Sequence, residues 1–347
     1  RANSEPLNTI IMNIQSSNEF GKLKSIVVGR PDNANWPTED PSFKTWLTWP
    51  GNQGGTFPYK IPEDIIEQVN ENIYLLMDRL KVDFDIEIVR PHRKDWKSAI
   101  ATHDWVCTGM NTLNMRETLI TIGNKVIECP HPYRSKHYES VAYDPIRKYV
   151  RENGGVYIVA PKSNIESGTI TQKDDKLYTR NNEPLFVGTD ILKFGKTILY
   201  FTSARSNMLG AEWLQGVLGD EYKVETTGRF YHYESLCNNI MPLDGNTLLC
   251  NADRLSGEAI PKVFKEYKKI WVETLKDKGA YKHPLGSKYV NLQVLNIDER
   301  HKMVNSDQPD LCNLLNANGF EIIESNLLHT QTFAYGYHSL FCDLIRE

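Results

Sequence analysis

The last twelve residues, Gly336 to Glu347, place His338, Ser339, Cys342 and Asp343 among the apolar Leu340, Phe341, Leu344 and Ile345. A hydroxyl or a thiol next to a histidine is the raw material of nucleophilic catalysis. A chain end normally frays unless something ties it down; this one reads as a buried strand, with a glycine ahead of its polar cluster. Similar clusters recur beside Gly or Pro along the chain: Arg116-Glu117, Phe186 to Asp190, His232-Tyr233-Glu234, Asp253-Arg254 and Ser287-Lys288. Glu117 and Glu234 could pair with a cation, His232 could carry a proton, and Arg254 could hold a carboxylate or phosphate. Taken singly, each is an ordinary surface or turn residue. Their occurrence at repeat-equivalent positions makes them candidates for one pocket.

The elements that would position these residues follow a repeated order. Ser25-Ile-Val-Val-Gly-Arg-Pro31 is a strand stopped by Gly and Pro. From Pro62 to Lys81, Ile65, Ile66, Val69, Ile73, Leu76, Met77 and Leu80 fall on one helical face. Val82, Phe84, Ile86 and Ile88 then alternate with acidic residues, as in a half-buried strand. Two strands about a Gly-Asn turn span 118–128, followed by a helix near 144–153 and a strand at 156–160. A second hairpin spans 190–201, with a helix at 207–218 and a strand at 222–227. A third turns at Asp244-Gly245, before a helix expected over 258–278 with Val263, Phe264, Tyr267, Ile270, Trp271 and Leu275 on one face. A fourth turns at Asp298-Glu299, before a helix at 310–317 and a strand at 320–324. Hairpin, helix and strand thus return every roughly 60–70 residues, as in a repeat architecture. The strands at 25–30 and 338–346 would supply the hairpin of a fifth unit. A ring closed by its two chain ends leaves few exposed strand edges, so one α/β domain over 1–347 is expected. A generic two-lobed α/β sheet is the alternative.

Composition removes several classes of function. The 347 residues carry a formal charge of −4, with 40% hydrophobic and 24% charged residues, so no basic footprint points to nucleic acid. No apolar run reaches the ~20 residues that span a bilayer. The six cysteines are scattered without a C-x-x-C, which argues against a zinc knuckle and for reduced core thiols in a reducing, cytoplasmic setting. His131 and His137 read as loop histidines without a carboxylate frame, so no metal and no cofactor is expected. The Trp-rich segment 36–57 is long for a plain connection; it could cover the pocket or form the interface of a homo-oligomer.

The order and spacing of several segments resemble the amidinotransferases, the family of arginine:glycine and inosamine-phosphate amidinotransferases. The resemblance runs over 18–347. It includes Asn18 to Asn33, Arg90-Pro91, Arg116 to Glu128, Glu183-Pro-Leu-Phe186, Asn207 to Trp213, Asn251-Ala-Asp-Arg254 and Ser287-Lys-Tyr289. It implies the pentein fold, a five-bladed αβ propeller with pseudo-fivefold symmetry. It also implies covalent transfer of an amidino group between small guanidino and amine compounds. A cysteine attacks, a histidine acts as acid and base with an aspartate behind it, and two further aspartates hold the guanidinium.

Carried over by position, His232 matches the catalytic histidine, and Arg254 and Ser287 match substrate contacts. Four positions depart from the pattern: Ser339 stands for the cysteine, Val187 for the supporting aspartate, and Glu117 and Glu234 for the guanidinium-holding aspartates. Asp190, at the end of that motif, is kept. A serine hydroxyl is a far weaker nucleophile than a thiolate unless a base activates it. The expectation is a group-transfer enzyme of amidinotransferase type in a specialised, secondary-metabolite pathway. Ser339 and His232 would be catalytic, and Glu117, Glu234, Arg254 and Ser287 would bind substrate. Transfer of another group, such as an acyl group, and an inactive pentein that binds a cationic molecule both stay open.

Overall fold

The computed structural model describes residues 13–48, 61–162, 164–165, 169–173, 176–228, 230, 233, 235–255, 257–273, 292, 294–333 and 336–347. The chain begins with β1 (Leu23–Val28), α1 (Pro41–Thr48), α2 (Glu63–Phe84) and β2 (Glu87–Val89), then a small ribbon of β3 (Ala99–Ala101) and β4 (Val106–Thr108). α2 starts after Pro62 with Glu63 and Asp64 in its first turn, where acidic side chains suit the positive end of the helix. It buries Ile66, Val69, Ile73, Leu76, Met77 and Leu80, each worth about 1.5–3 kcal/mol when removed from water. The alternation at 82–88 misled. Val82 and Phe84 belong to the last turn of α2, and Asp85 closes it with φ 53°, its N–H bonding to the Leu80 and Lys81 carbonyls. Only Glu87–Val89 is strand.

The second unit comprises α3 (Met115–Thr118), β5 (Leu119–Ile122), β6 (Lys125–Glu128), α4 (Arg134–His137), α5 (Asp144–Glu152) and β7 (Val156–Val159). Gly123, at φ +58°, makes the tight turn between β5 and β6. A second ribbon, β8 (Ile170–Lys173) with β9 (Lys176–Thr179), precedes the third unit of β10 (Ile191–Phe194), β11 (Thr197–Phe201), α6 (Met208–Leu218) and β12 (Lys223–Thr227). The fourth is α7 (Leu236–Asn239), β13 (Ile240–Pro242), β14 (Thr247–Asn251) and β15 (Lys268–Val272). The last stretch holds β16 (Leu295–Asn296), β17 (His301–Asn305), α8 (Pro309–Ala317), β18 (Glu321–Ser325), α9 (Tyr337–Leu340) and β19 (Phe341–Arg346).

Among the described residues these strands form five three-stranded sheets of one design, ordered β19-β1-β2, β5-β6-β7, β10-β11-β12, β13-β14-β15 and β16-β17-β18. In each, the first two strands are antiparallel and the third runs parallel to the second. The first sheet joins the two ends of the described chain: Val27 pairs with Cys342 and Val28 with Phe341.

Two sequence expectations change here. The helix over 258–278 is absent from its described part; two single 3₁₀ turns (Gly257–Ala259 and Lys262–Phe264) lead into β15. Pro261 interrupts the helical run, and Lys268–Val272 is pulled into parallel pairing with β14, Thr247 opposite Lys268 and Leu249 opposite Ile270. Residues 274–278 lie outside the described residues. At the C-terminus, His338 and Ser339 are not on a strand but on the helical turn α9, ahead of β19. Within the Trp-rich segment, 41–48 is helix α1, whose first N–H groups at Ser42 and Phe43 bond to Asp40 Oδ1.

A polar hub links β19, β10, β13 and β16, the first strands of four sheets, to Arg116 on α3, the turn that leads into β5 of the fifth. Arg116 donates to Glu19 at 2.7 Å and to Asp343 of β19 at 2.8 Å. Lys193 of β10 and Arg346 of β19 reach Asp343 at 2.7 and 3.0 Å. Asn296 of β16 donates to the carbonyls of Glu19 and of Pro242 in β13, both at 2.9 Å. These ionic groups are buried, so their mutual pairing is what makes the burial tolerable.

Candidate active site

Short helical turns precede the first strands: α3 before β5, a 3₁₀ turn (Gly188–Asp190) before β10, α7 before β13 and α9 before β19. α3 packs against α9 and against the Gly188–Asp190 turn, which packs in turn against α7. Glu117 on α3 and Ser339 on α9 are thereby brought to one region, both buried. The Ser339 hydroxyl hydrogen-bonds the thiol of Cys237 on α7. Burial pushes that thiol above its ordinary value, so it stays protonated.

Glu117 is the best-defined charged group. Arg205 donates to its Oε1 at 2.6 Å, Lys136 Nζ lies 3.4 Å from its Oε2, and His131 Nε2 lies 3.6 Å from the same oxygen. Burial alone would raise its pKa; Lys136, His131 and Arg205 overcome this and hold the carboxyl well below the usual range. It is therefore an ionised carboxylate engaged by a guanidinium and an ammonium. Burial pushes His131 down to about 4 against the pull of Glu117, so at pH 7 the imidazole is neutral. Its Nδ1 accepts the Tyr133 N–H at 3.1 Å, which leaves the proton on Nε2, facing Glu117. Lys136 also bridges to Glu139 at 3.1 Å. Burial raises Glu139 to about 7 despite that lysine.

Val187 is buried, and its N–H donates to Ser206 Oγ at 3.2 Å. No carboxylate comes from that position. Asp190 accepts from Ser203 Oγ at 2.6 Å, Ser206 Oγ at 2.7 Å and the Leu236 N–H at 3.4 Å. It clamps the β11–α6 loop to the start of α7, and burial raises its pKa. Arg254 is half-buried in the turn after β14. Its N–H bonds the Asn251 carbonyl at 3.2 Å, and Asn251 reaches the Asn238 carbonyl on α7 at 3.1 Å. His232, Glu234 and Ser287 lie outside the described residues.

Arg205, Ser235, Lys136 and His131 carry no signal of their own in the sequence. The resemblance placed Glu117 in a pocket, but its partners come from 14 to 88 positions further along the chain. The sequence reading of His131 as a loop histidine without a carboxylate needs correction, since tertiary contact supplies Glu117. Among the described residues, no group of three or more His, Cys, Asp or Glu could hold a metal ion. All six cysteines are free and buried, and no described helix is long and apolar enough to cross a membrane.

No protein-family model matches the chain. It is 27% identical over 333 residues to inosamine-phosphate amidinotransferase 1 of Streptomyces griseus, covering 95% of this chain and 96% of that protein. It is 28% identical over 358 residues to the mitochondrial glycine amidinotransferase of Xenopus laevis, covering 96% of this chain and 82% of that one. The solved structure of the Streptomyces griseus inosamine-phosphate amidinotransferase superposes with a TM-score of 0.85 at 25% identity, over 96% of this chain and 97% of that one. An amidinotransferase of Microseira wollei from the saxitoxin biosynthetic pathway shares the fold at a TM-score of 0.86 and 23% identity, over 96% and 97%.

Proposed function

The chain belongs to the amidinotransferase family, and on that premise we propose that it is a group-transfer enzyme acting on a small molecule at the Glu117–Ser339 region. The observation that carries the reading is Glu117 itself, a buried carboxylate kept ionised and already gripping a guanidinium, on the turn that packs against the one bearing Ser339. In the mechanism we infer, the Ser339 oxygen attacks the electrophilic carbon of the donor while His232 takes the hydroxyl proton. The carbon–nitrogen bond to the leaving amine then breaks, and His232 returns the proton to that amine. An acceptor amine next attacks the same carbon, His232 takes its proton and delivers it to the Ser339 oxygen, and the carbon–oxygen bond breaks to free Ser339. Glu234 would hold a cationic group, and Arg254 and Ser287 would position the substrate. The setting we infer is a cytoplasmic enzyme of a specialised pathway, like that named for the Microseira wollei relative.

We read the five sheets as blades of a pentein propeller with pseudo-fivefold symmetry, a single domain over 1–347. The hub shared by the first strands of four sheets and by the turn leading into the fifth supports this. A second reading, transfer of a non-amidino group such as acyl, is favoured by one observation: the guanidinium on Glu117 belongs to the chain's own Arg205.

The test is to incubate the protein with labelled arginine or activated acyl donors and a panel of amines, and to compare Ser339→Ala and Ser339→Cys. Product formation that Ser339→Ala abolishes is expected. Activity untouched by Ser339→Ala would remove Ser339 from the mechanism. Absence of product and adduct from every donor, including with Ser339→Cys, would leave a binding protein.

A further inference from the structure

We propose that Arg205 is the specificity-determining residue of this site, a built-in guanidinium that fills the Glu117 seat and shuts out guanidino ligands there. The inference rests on reading the region around Glu117 as the substrate pocket. Arg205 spans two of the helical elements that form it. Nη1 donates to Glu117 Oε1 on α3 and Nη2 to Ser235 Oγ just before α7, each at 2.6 Å. A planar fork fixed at two corners is the geometry by which an arginine is held firmly.

The backbone beneath it is fixed too. The Arg205 N–H donates to Ser203 Oγ at 2.9 Å, and Ser203 and Ser206 on either side are both bound by the buried Asp190. The loop therefore presents the side chain from a pinned base.

Charge acts in the same direction. Glu117 is one carboxylate already facing Arg205 and Lys136, and Lys136 is shared with Glu139. An incoming guanidinium would meet two fixed cations before it met a carboxylate oxygen to itself. Specificity of this kind is achieved by repulsion against the unwanted ligand as much as by attraction to the chosen one. The ligands this seat accepts next to Arg205 are those without a cationic guanidine, such as carbonyl and carboxylate compounds.

The inference is tested by equilibrium binding, not turnover, so that it fails separately from the proposed function. Methylguanidine and arginine are titrated calorimetrically into the wild-type protein, Glu117→Gln, Arg205→Ala, Arg205→Met and Arg205→Ala/Glu117→Gln, with folding of each verified by circular dichroism. The expected result is binding at least about tenfold tighter to Arg205→Ala than to wild type, lost again in the double variant. Arg205→Met fills the apolar space of the stem and serves if the alanine variant does not fold. Wild-type binding of either probe that Glu117→Gln weakens would overturn the inference whatever the variants do. So would a folded Arg205→Ala or Arg205→Met with no gain. Gained binding without any transfer activity would uphold the role of Arg205 and count against the enzyme reading alone.

Discussion

Replacing Arg116 with methionine tests whether the hub holds the five sheets together. The Arg116 side chain is 1% exposed and donates to Glu19, Asp343 and the carbonyls of Gly188 and Ile191. Methionine keeps most of the apolar stem and removes the cation. Asp343 would keep Lys193 and Arg346, whereas Glu19 would keep, among the described residues, hydrogen bonds to the Lys193 N–H and His338 and the weaker pull of the Lys193 ammonium. The loss therefore falls on Glu19. Breaking a buried pair by removing one partner costs about 3–5 kcal/mol. With an unfolding entropy of about 2.1 cal/mol/K per residue, a chain of 347 residues loses roughly 4–7 °C in Tm.

The pH dependence gives a sharper check. Burial opposes ionisation of Glu19 and Asp343, but Arg116 and Lys193 pull Glu19 down, and Lys193, Arg346 and Arg116 pull Asp343 down. Groups with depressed folded-state values stabilise above the unfolded carboxylate pKa of about 4 and lose that contribution as the pH falls through the folded value. The gap between wild type and Arg116→Met, measured by denaturant unfolding, should be full at pH 7 and shrink below about pH 4. Adding Glu19→Gln should recover part of the loss, because an unpaired buried charge is removed. A loss under about 1 kcal/mol at pH 7, or a gap that stays constant into acid, would refute the reasoning.

Two further outcomes follow from single residues. Glu139 is raised to about 7 by burial, so its own contribution to stability, read as the difference between wild type and Glu139→Gln, should fall by roughly 3 kcal/mol as pH rises from about 4.5 to 7 and then level off. Glu139→Gln should lack that slope, as denaturant unfolding across this pH range would show. Asn207 caps α6 by accepting the Gly210 N–H at 2.8 Å, and it donates to the carbonyls of Arg180 and Glu183. Asn207→Ala should cost about 2 kcal/mol, readable as a shifted denaturation midpoint with unchanged slope.

Much of the architecture was legible because local rules and tertiary packing agree. Gly123, Gly195 and Asp244-Gly245 fall at hairpin turns, α2 and α6 lie where their apolar stripes predict, and β1 pairs with β19 as the two unpaired end strands required. Where a segment had two local readings, distant partners chose. The stripe from Val263 to Trp271 fits a helix face, yet the open side of β14 recruited Lys268–Val272 as its parallel neighbour. Val82 and Phe84 alternate like a strand, yet α2 continues until Asp85 can close it in the left-handed region.

The site divides in the same way. Residue types and order brought out Glu117 and Ser339 as candidates, and the family resemblance added the four departures from its pattern. Only the fold decided that His338 and Ser339 sit on a helical turn against α3 while Cys342 and Asp343 stay on β19, and that Asp190 clamps a loop. Only the fold put an arginine, 88 positions from Glu117, on its carboxylate. A sequence states which charges exist; which of them are close enough, and dry enough, to satisfy one another is settled by long-range packing.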